Sequence, residues 1–187
     1  MNSQIVCIKD VANIYAGKNL SRGDEVFPET IVYSQKDLED DLVCNNIQTE
    51  SSRLALEQKD NYITKSGDIV ISLVSRTCAI VNPANENKLL KNSFVRIHLT
   101  NSEIDPWYFC YVINESDFFK KSIIPEIVSQ VRPLSVSILG NAQILLPSIS
   151  NQKKLGTVYK NLCRQRFLNN EKENLLLTAI NEIIKNV

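Results

Sequence analysis

The segment 150–187 constrains the fold most, because it contains no proline and only one glycine, Gly156. Lys, Leu, Asn and Glu dominate it, and Ser150, three residues after Pro147, is a suitable N-cap. This composition predicts one continuous helix over 150–187. At a rise of about 1.5 Å per residue such a helix spans roughly 50 Å, so it must run along or beyond a small domain.

The same segment has the heptad spacing of a coiled coil. Positions at alternating steps of four and three form one seam, with apolar residues at both ends and a polar middle at Arg166, Asn169 and Glu173. An antiparallel pair centred near residue 171 places Leu162 opposite Ile180. We therefore expect a homodimer that is held by Leu155, Tyr159, Leu162, Leu176, Ile180, Ile183 and Val187.

Residues 1–149 have a different pattern, which predicts one β-rich α+β domain. Three short runs of β-branched and large apolar residues indicate buried strands at 69–74, 93–99 and 142–146. Two helices are expected at 34–41 and at 106–114, the second capped by Asp105. Long polar loops, notably 45–60 and 82–91, suit a scaffold that displays functional residues.

Net charge is zero, but it is divided unevenly. Residues 1–150 carry 14 Lys and Arg against 18 Asp and Glu, a net charge of −4, whereas 151–187 carry 7 against 3, a net charge of +4. A protein that binds DNA alone and without sequence preference usually has a basic main body. Any DNA binding here is therefore expected to depend on local patches or on a partner. The sequence has neither a leader nor an apolar span, which predicts a cytoplasmic protein that does not enter a membrane.

No catalytic constellation is apparent, so we expect a protein that is not an enzyme and needs neither a cofactor nor a metal. His98 is the only histidine, and its alternation with apolar neighbours indicates an exposed strand position. There is no glycine-rich phosphate loop. Residues 39–41 are interpreted as a solvated acidic surface, and the five scattered cysteines as reduced packing residues.

Four short motifs occur in a characteristic order. They are Ser66-Gly67-Asp68-Ile69-Val70-Ile71-Ser72, Asn92-Ser93-Phe94-Val95-Arg96-Ile97, Ile104-Asp105-Pro106-Trp107-Tyr108-Phe109 and Leu145-Leu146-Pro147-Ser148-Ile149-Ser150-Asn151-Gln152. This order, followed by a long helix, resembles the target-recognition domain of type I restriction-modification specificity subunits. About half of the chain carries the resemblance strongly.

The resemblance implies sequence-specific recognition of double-stranded DNA by a half-length specificity subunit. It also implies that separate subunits bring methyltransferase activity, with S-adenosylmethionine, and restriction activity. Arg, Lys and Gln side chains on loops can read base edges, and the candidates are Lys18, Arg22, Gln48, Arg53, Arg76, Gln130 and Arg132. Two alternatives stay open: the recognition module of a fused methyltransferase-nuclease, and a coiled-coil adaptor that binds protein.

Overall fold

The computed structural model describes residues 3–20, 30–43, 62–100, 102–124 and 134–185. In these residues strands and short helices are followed by one long C-terminal helix, which confirms the α+β class. The elements in chain order are β1 (Gln4–Cys7), α1 (Ile8–Val11), β2 (Ala12–Ala16), α2 (Gln35–Leu42), β3 (Ile69–Ser72), β4 (Cys78–Ile80), a short 3-10 helix (Pro83–Asn85), β5 (Phe94–Leu99), α3 (Pro106–Glu115), α4 (Asp117–Ile123), α5 (Val136–Asn141), β6 (Gln143–Leu146) and α6 (Ile149–Lys185).

Two antiparallel sheets form the β part of the described chain. The larger sheet has the order β2-β5-β3-β4, and the smaller one pairs β1 with β6. In the larger sheet Ile71 lies opposite both Cys78 and Val95, and Ile14 lies opposite Ile97. All four residues of β3 are buried, because β3 is an inner strand and is covered on both faces. This explains why its sequence is a continuous apolar run rather than an alternating one.

Helix α3 is packed between the larger sheet and the first half of α6. Its buried residues include Phe109, Cys110 and Ile113, which belong to the main hydrophobic core. Cys78, Cys110 and Cys163 are buried free thiols in this core, as expected for packing cysteines. The position of α3 therefore connects α6 to the sheet.

The predicted strands and helices exist, but several elements were not foreseen. The predicted cap of α3 is confirmed, since Asp105 accepts a hydrogen bond from the Tyr108 backbone N–H; Ser34, which was predicted as the first residue of α2, is instead its N-cap and accepts from the Asp37 N–H. The prediction that Ser150 caps α6 is wrong, because the helix begins at Ile149. Helices α1, α4 and α5 and strands β1, β2 and β4 were missed; each is seven residues or shorter and was not recognised as an apolar run or a capped start. A short element is determined by tertiary packing more than by its own periodicity.

The interpretation of residues 39–41 as a solvated acidic surface is wrong for Asp41. Its side chain is fully buried. It accepts hydrogen bonds from the Tyr33 hydroxyl at 2.6 Å, from the Asn82 backbone N–H at 2.9 Å and from the Asn85 side-chain amide at 2.8 Å. A buried carboxylate needs such donors to offset the loss of water. Asp41 thus ties α2 to the loop that follows β4.

The two halves of α6 have different surroundings. In the first half Gln152, Gly156, Tyr159 and Cys163 are buried, and they form a stripe that faces the domain. From residue 168 to residue 185 every position of the helix is exposed. The helix therefore begins as part of the domain and continues as a free arm.

Candidate nucleic-acid interface and helical arm

Gln152 fixes the start of α6 to the loop before α3. The Gln152 side chain is 2% exposed. Its Oε1 accepts from the Asp105 backbone N–H at 3.1 Å, and its Nε2 donates to the Glu103 carbonyl at 3.1 Å and to the Pro147 carbonyl at 2.8 Å. One amide side chain thus satisfies three backbone groups in two separate segments, 103–105 and Pro147. Loss of such buried partners costs about 1–3 kcal/mol per group.

Gly156 allows α6 to lie directly on the first turn of α3. A Cβ atom at this position would lie 2.2 Å from the Asp105 carboxylate oxygen, 2.8 Å from the Tyr108 backbone nitrogen and 3.0 Å from the Trp107 Cβ. The two helices therefore approach closely only because residue 156 is glycine. The Asp105, Gln152 and Gly156 contacts together are called the α3–α6 junction below.

Two further hydrogen bonds and an aromatic contact extend this attachment. The Tyr108 hydroxyl donates to the Leu145 carbonyl at 2.6 Å, and burial raises the pKa of Tyr108 to about 12. Tyr159 is 3% exposed; its ring packs edge-on against Tyr111, and its hydroxyl accepts from the Asn114 amide at 2.9 Å. Two of the four sequence motifs therefore meet at α3 and α6.

The other two motifs meet within the sheet. Gly67 has φ +89°, a conformation that glycine adopts without strain, and it precedes Asp68 at the turn into β3. Asp68 accepts from the Lys65 backbone N–H at 2.8 Å and lies 3.6 Å from the Arg96 guanidinium on β5. Arg96 also lies over the Tyr15 ring at 5.5 Å. The residues that carry the family resemblance are thus mainly structural.

Two predicted DNA-contacting residues, Lys18 and Arg76, lie at the same edge of the larger sheet, which is formed by the strand ends where β2 and β3 finish and β5 begins. Lys18 follows β2, and its backbone N–H donates to the Leu90 carbonyl at 2.8 Å. Arg76 lies in the turn between β3 and β4, where the Leu73 N–H donates to the Ser93 carbonyl at 2.8 Å. Since β5 separates β2 from β3, the two positions are about two strand spacings apart, roughly 10 Å.

Further polar groups at this edge were not in the predicted set. Lys91 and Asn92 precede β5, and Lys91 forms an isolated bridge with Lys18. The Asn92 side chain donates to the Asn19 side chain at 3.1 Å. A Cβ atom at Gly17 would lie 2.1 Å from the Lys91 carbonyl oxygen, so the close approach of these segments requires glycine. Lys18, Asn19, Arg76, Lys91 and Asn92 are called the sheet-edge cluster below.

Arg76 adopts a left-handed backbone conformation with φ 59°. This region is unfavourable for a residue with a Cβ atom, by about 1–2 kcal/mol. Glycine or asparagine would form the turn with less strain. The left-handed conformation of Arg76 therefore marks this turn as a candidate functional position.

The remaining predicted DNA-contacting residues, Arg22, Gln48, Arg53, Gln130 and Arg132, lie outside the described residues, and so does Val187 of the predicted seam. Leu134, the first described residue after Arg132, donates its backbone N–H to the Leu73 carbonyl at 2.8 Å. Leu73 begins the turn that carries Arg76. Leu134 is therefore hydrogen-bonded at the same edge of the sheet as the Arg76 turn.

Burial and hydrogen bonding shift the pKa values of two carboxyl groups on α2 in opposite directions. Burial raises the pKa of Asp41, and the hydrogen bonds from Tyr33, Asn82 and Asn85 offset only part of that effect. Burial also acts to raise the pKa of Asp37, but hydrogen bonds from Lys88 and Ser34 outweigh it and hold that pKa below its ordinary value. The Lys88–Asp37 ion pair, at 2.8 Å, fastens α2 to the loop before β5.

The predicted dimerisation residues divide into two groups. Leu155, Leu162, Leu176, Ile180 and Ile183 have exposed fractions of 45%, 39%, 56%, 52% and 65%. Tyr159 does not belong with them, because it is buried against α3 in its own chain. Val158, 65% exposed and next to it in sequence, lies on the exposed side with Leu155 and Leu162. The exposed apolar stripe of α6 is thus Leu155, Val158, Leu162, Leu176, Ile180 and Ile183.

Other features of the described residues concern catalysis and membranes. His98 is exposed on β5, as predicted, opposite Asn13. No cluster of three or more His, Cys, Asp or Glu residues that could hold a metal ion occurs in the described ranges. In the same ranges, no helix combines the length and apolar character needed to cross a bilayer.

Fold and site together define a class: an α+β binding module that presents a polar loop edge and extends a long helix with an exposed apolar stripe. Comparison with protein families makes this specific. The model of the type I restriction modification DNA specificity domain matches residues 1–178. The chain belongs to this family. A comparison with curated proteins found no match.

Solved structures of specificity subunits share the fold. The HsdS subunit from Thermoanaerobacter tengcongensis is 14% identical with a TM-score of 0.58, over 91% of this chain and 39% of that one. The type I S subunit from M. genitalium is 17% identical with a TM-score of 0.55, over 97% and 44%. A chain from a study of type I complex assembly and conformational transition is 11% identical with a TM-score of 0.65, over 97% and 43%. The protein thus spans less than half of the length of these relatives.

Proposed function

We propose that the chain recognises a specific DNA sequence and directs a separate methyltransferase, with or without a restriction subunit, to a two-part site. Residues 1–149 would read the DNA and residues 150–187 would form the assembly arm. The family match over residues 1–178 carries this proposal. The chain itself would contribute no catalytic step, and S-adenosylmethionine would bind to the methyltransferase.

The proposed reading surface is the sheet-edge cluster with the loops around it. Arg and Lys can bind guanine edges or phosphates, and Asn can bind adenine. The structure supports this choice because loops from three strands end at one edge, and because Arg76 keeps a strained backbone there. The net charge of −4 over residues 1–150 implies weak DNA binding by the free chain. The methyltransferase would add the missing phosphate contacts.

We further infer a homodimer that pairs the two arms antiparallel, so that two reading domains address the two parts of the site. The exposed stripe of α6 supports this inference, since a row of large apolar side chains in water indicates a missing partner. Coverage of 39–44% of the relatives fits a chain that supplies one half of a two-domain arrangement.

Reconstitution with the methyltransferase of the same system tests the function directly. We expect methylation at one sequence by the full complex and none when this chain is omitted, measured by sequencing of modified bases on plasmid DNA. Methylation that is independent of the chain would contradict the proposal and favour a protein-binding adaptor. For the dimer, deletion of residues 171–187 should give a monomer in analytical ultracentrifugation, and an unchanged dimer mass would refute pairing through the arm.

A further inference from the structure

A groove of about 780 Å³ opens beside the first half of α6. Its apolar lining includes Ile113, Phe119 and Ile123, and the 65% exposed Val74 and the 63% exposed Ile124 also line it. Tyr159, Cys163 and Arg166 of α6 form one wall, and the groove also contacts the turn that carries Arg76. Exposed aliphatic side chains at a concave surface indicate that something apolar is bound there.

The far half of α6 carries apolar residues that a helix pair alone would not cover. Leu177 and Ile184 are 52% and 66% exposed and lie seven residues apart, so they form a second short stripe. With about 3.6 residues per turn, this stripe lies beside the Leu176–Ile180–Ile183 stripe, on the flank that bears Tyr159 and Cys163 in the first half. The second stripe therefore lies on the same face of the helix as the residues of the first half that pack on the domain.

Two-fold symmetry determines where this second stripe lies in an antiparallel pair. The symmetry axis is perpendicular to the plane of the two helices, so the same flank of each helix faces the same side. In each copy the domain packs on the flank of α6 that bears Tyr159 and Cys163. The second stripe of the other copy lies on the same side of the helix pair, and so it points toward this domain. The register that places Leu162 opposite Ile180 places Leu177 opposite Gln165 and Ile184 opposite Val158. These levels coincide with the groove wall formed by Tyr159, Cys163 and Arg166.

We propose that the groove binds the arm of a second copy of the chain, with Leu177 and Ile184 as the side chains that enter it. The inference rests on the proposed dimer and adds that the reading domain itself, and not only the helix seam, holds the partner. Because the groove adjoins the Arg76 turn, dimer formation would also restrict the sheet edge.

Charge complementarity supports a second copy as the occupant. Among the described lining residues of the groove, Arg76, Lys120 and Arg166 are basic, and the carboxylate of Glu115 is paired with Arg166 at 2.7 Å. The partner's arm brings Glu173 opposite Asn169, about one helical turn from Arg166. An acidic side chain thus arrives at the basic end of the groove.

A matched pair of substitutions on the arm tests the proposal. Leu175 is 70% exposed and lies two residues from Leu177, on the opposite flank of the helix. We expect Leu177→Ser to raise the dimer dissociation constant about 100-fold in sedimentation equilibrium, because burial is lost in both symmetry-related grooves. Leu175→Ser should change it less than about 3-fold, since its side chain stays in water. Equal effects of the two variants, or no effect of Leu177→Ser, would overturn the proposal.

A third variant separates this proposal from the dimer itself. Leu176→Ser removes a seam residue and should weaken any antiparallel pair. If Leu176→Ser dissociates the dimer while Leu177→Ser leaves it intact, the helix pair stands and the groove assignment is wrong. If neither variant changes the dimer mass, pairing through the arm is wrong as well.

The groove side can be tested without disturbing the core. Val74→Ser and Ile124→Ser alter exposed side chains, so the thermal midpoint of the monomer should stay within about 2 °C. Each should weaken the dimer, and combining Ile124→Ser with Leu177→Ser should cost less than the sum of the single effects, as expected for residues in contact. Additive effects in this cycle would contradict a direct contact.

Discussion

Substitution of Gly156 by alanine is a direct test of how α6 is attached to the domain. The added Cβ would lie 2.2 Å from the Asp105 carboxylate oxygen and 2.8 Å from the Tyr108 nitrogen, and these two atoms form the N-cap of α3. Neither can move without breaking the 2.8 Å hydrogen bond between them. The Trp107 Cβ at 3.0 Å blocks the remaining side.

The expected magnitude follows from three contributions. Overpacking in a close helix contact costs about 1–3 kcal/mol, and loss of an aspartate N-cap about 1 kcal/mol. Alanine in place of glycine in a helix restores about 1 kcal/mol. The net loss in free energy of unfolding is therefore about 1–3 kcal/mol, which for a chain of this size corresponds to a fall in Tm of roughly 3–10 °C.

Gly140 provides the matched control. It also lies in a helix, α5, but a Cβ atom there would meet the Ile14 Cδ1 at 3.6 Å and the Lys9 Cβ at 3.7 Å, which are ordinary contact distances. Gly140→Ala should leave Tm unchanged or raise it by a few degrees. Differential scanning calorimetry of both variants measures the two Tm values that are to be compared. A Gly156→Ala protein that is as stable as the Gly140→Ala protein would refute the reasoning about the α3–α6 junction.

Three further predictions concern the sheet edge and the Asp41 network. Arg76→Gly should raise the free energy of unfolding, measured by urea titration, by zero to about 1 kcal/mol, because the strained φ is relieved. A clear loss of stability would show that the turn needs arginine. In the complex with the methyltransferase, Arg76→Ala, Arg53→Ala or Arg132→Ala should each cost about 1–3 kcal/mol of DNA-binding free energy and relax the preference at one base position if the side chain reads guanine. Loss of a phosphate contact would instead weaken binding to all sequences equally. Unchanged affinity in all three variants would refute this surface. Tyr33→Phe should lower the free energy of unfolding by about 1–3 kcal/mol at pH 7, because the ionised Asp41 loses a hydrogen-bond donor. The pKa of Asp41, already raised by burial, rises further in the variant, so this loss of stability must shrink as the pH falls through that pKa. A loss that is constant with pH would contradict an ionised Asp41.

The sequence was sufficient for features with a local cause. Asp105 followed by Pro106 predicts a capped helix start, and absence of proline after Pro147 predicts a long helix; both are observed, since capping and propensity act within a few residues. The apolar run at 69–74 predicts a buried strand for the same reason; β3 covers 69–72, but the prediction is wrong at its end, where Val74 is exposed in the turn. His98 was placed on an exposed strand face by simple alternation.

Features with a non-local cause were not accessible in this way. Heptad spacing places Tyr159 in the same seam as Leu155 and Leu162, but the side that packs on α3 is set by Gly156, whose role appears only when Asp105 is next to it. Asp41 looks like any acidic surface residue until Tyr33 and Asn85 are folded against it. Lys91 and Asn92 join the sheet-edge cluster through strand pairing across most of the domain.

The separation between the α3–α6 junction and the sheet edge has a consequence for evolution. The hydrogen bonds of Gln152 that hold the start of the arm go to residues 103–105 and to Pro147, whereas those of Lys18 and Leu73 at the sheet edge go to Leu90 and Ser93. Under the proposed function, mutations at the sheet edge would leave the angle of the arm unchanged, so a lineage would acquire a new target without losing its old partners. Exchange of loops between relatives should be tolerated at the edge, whereas recombination within 103–108 or 147–156 should be selected against.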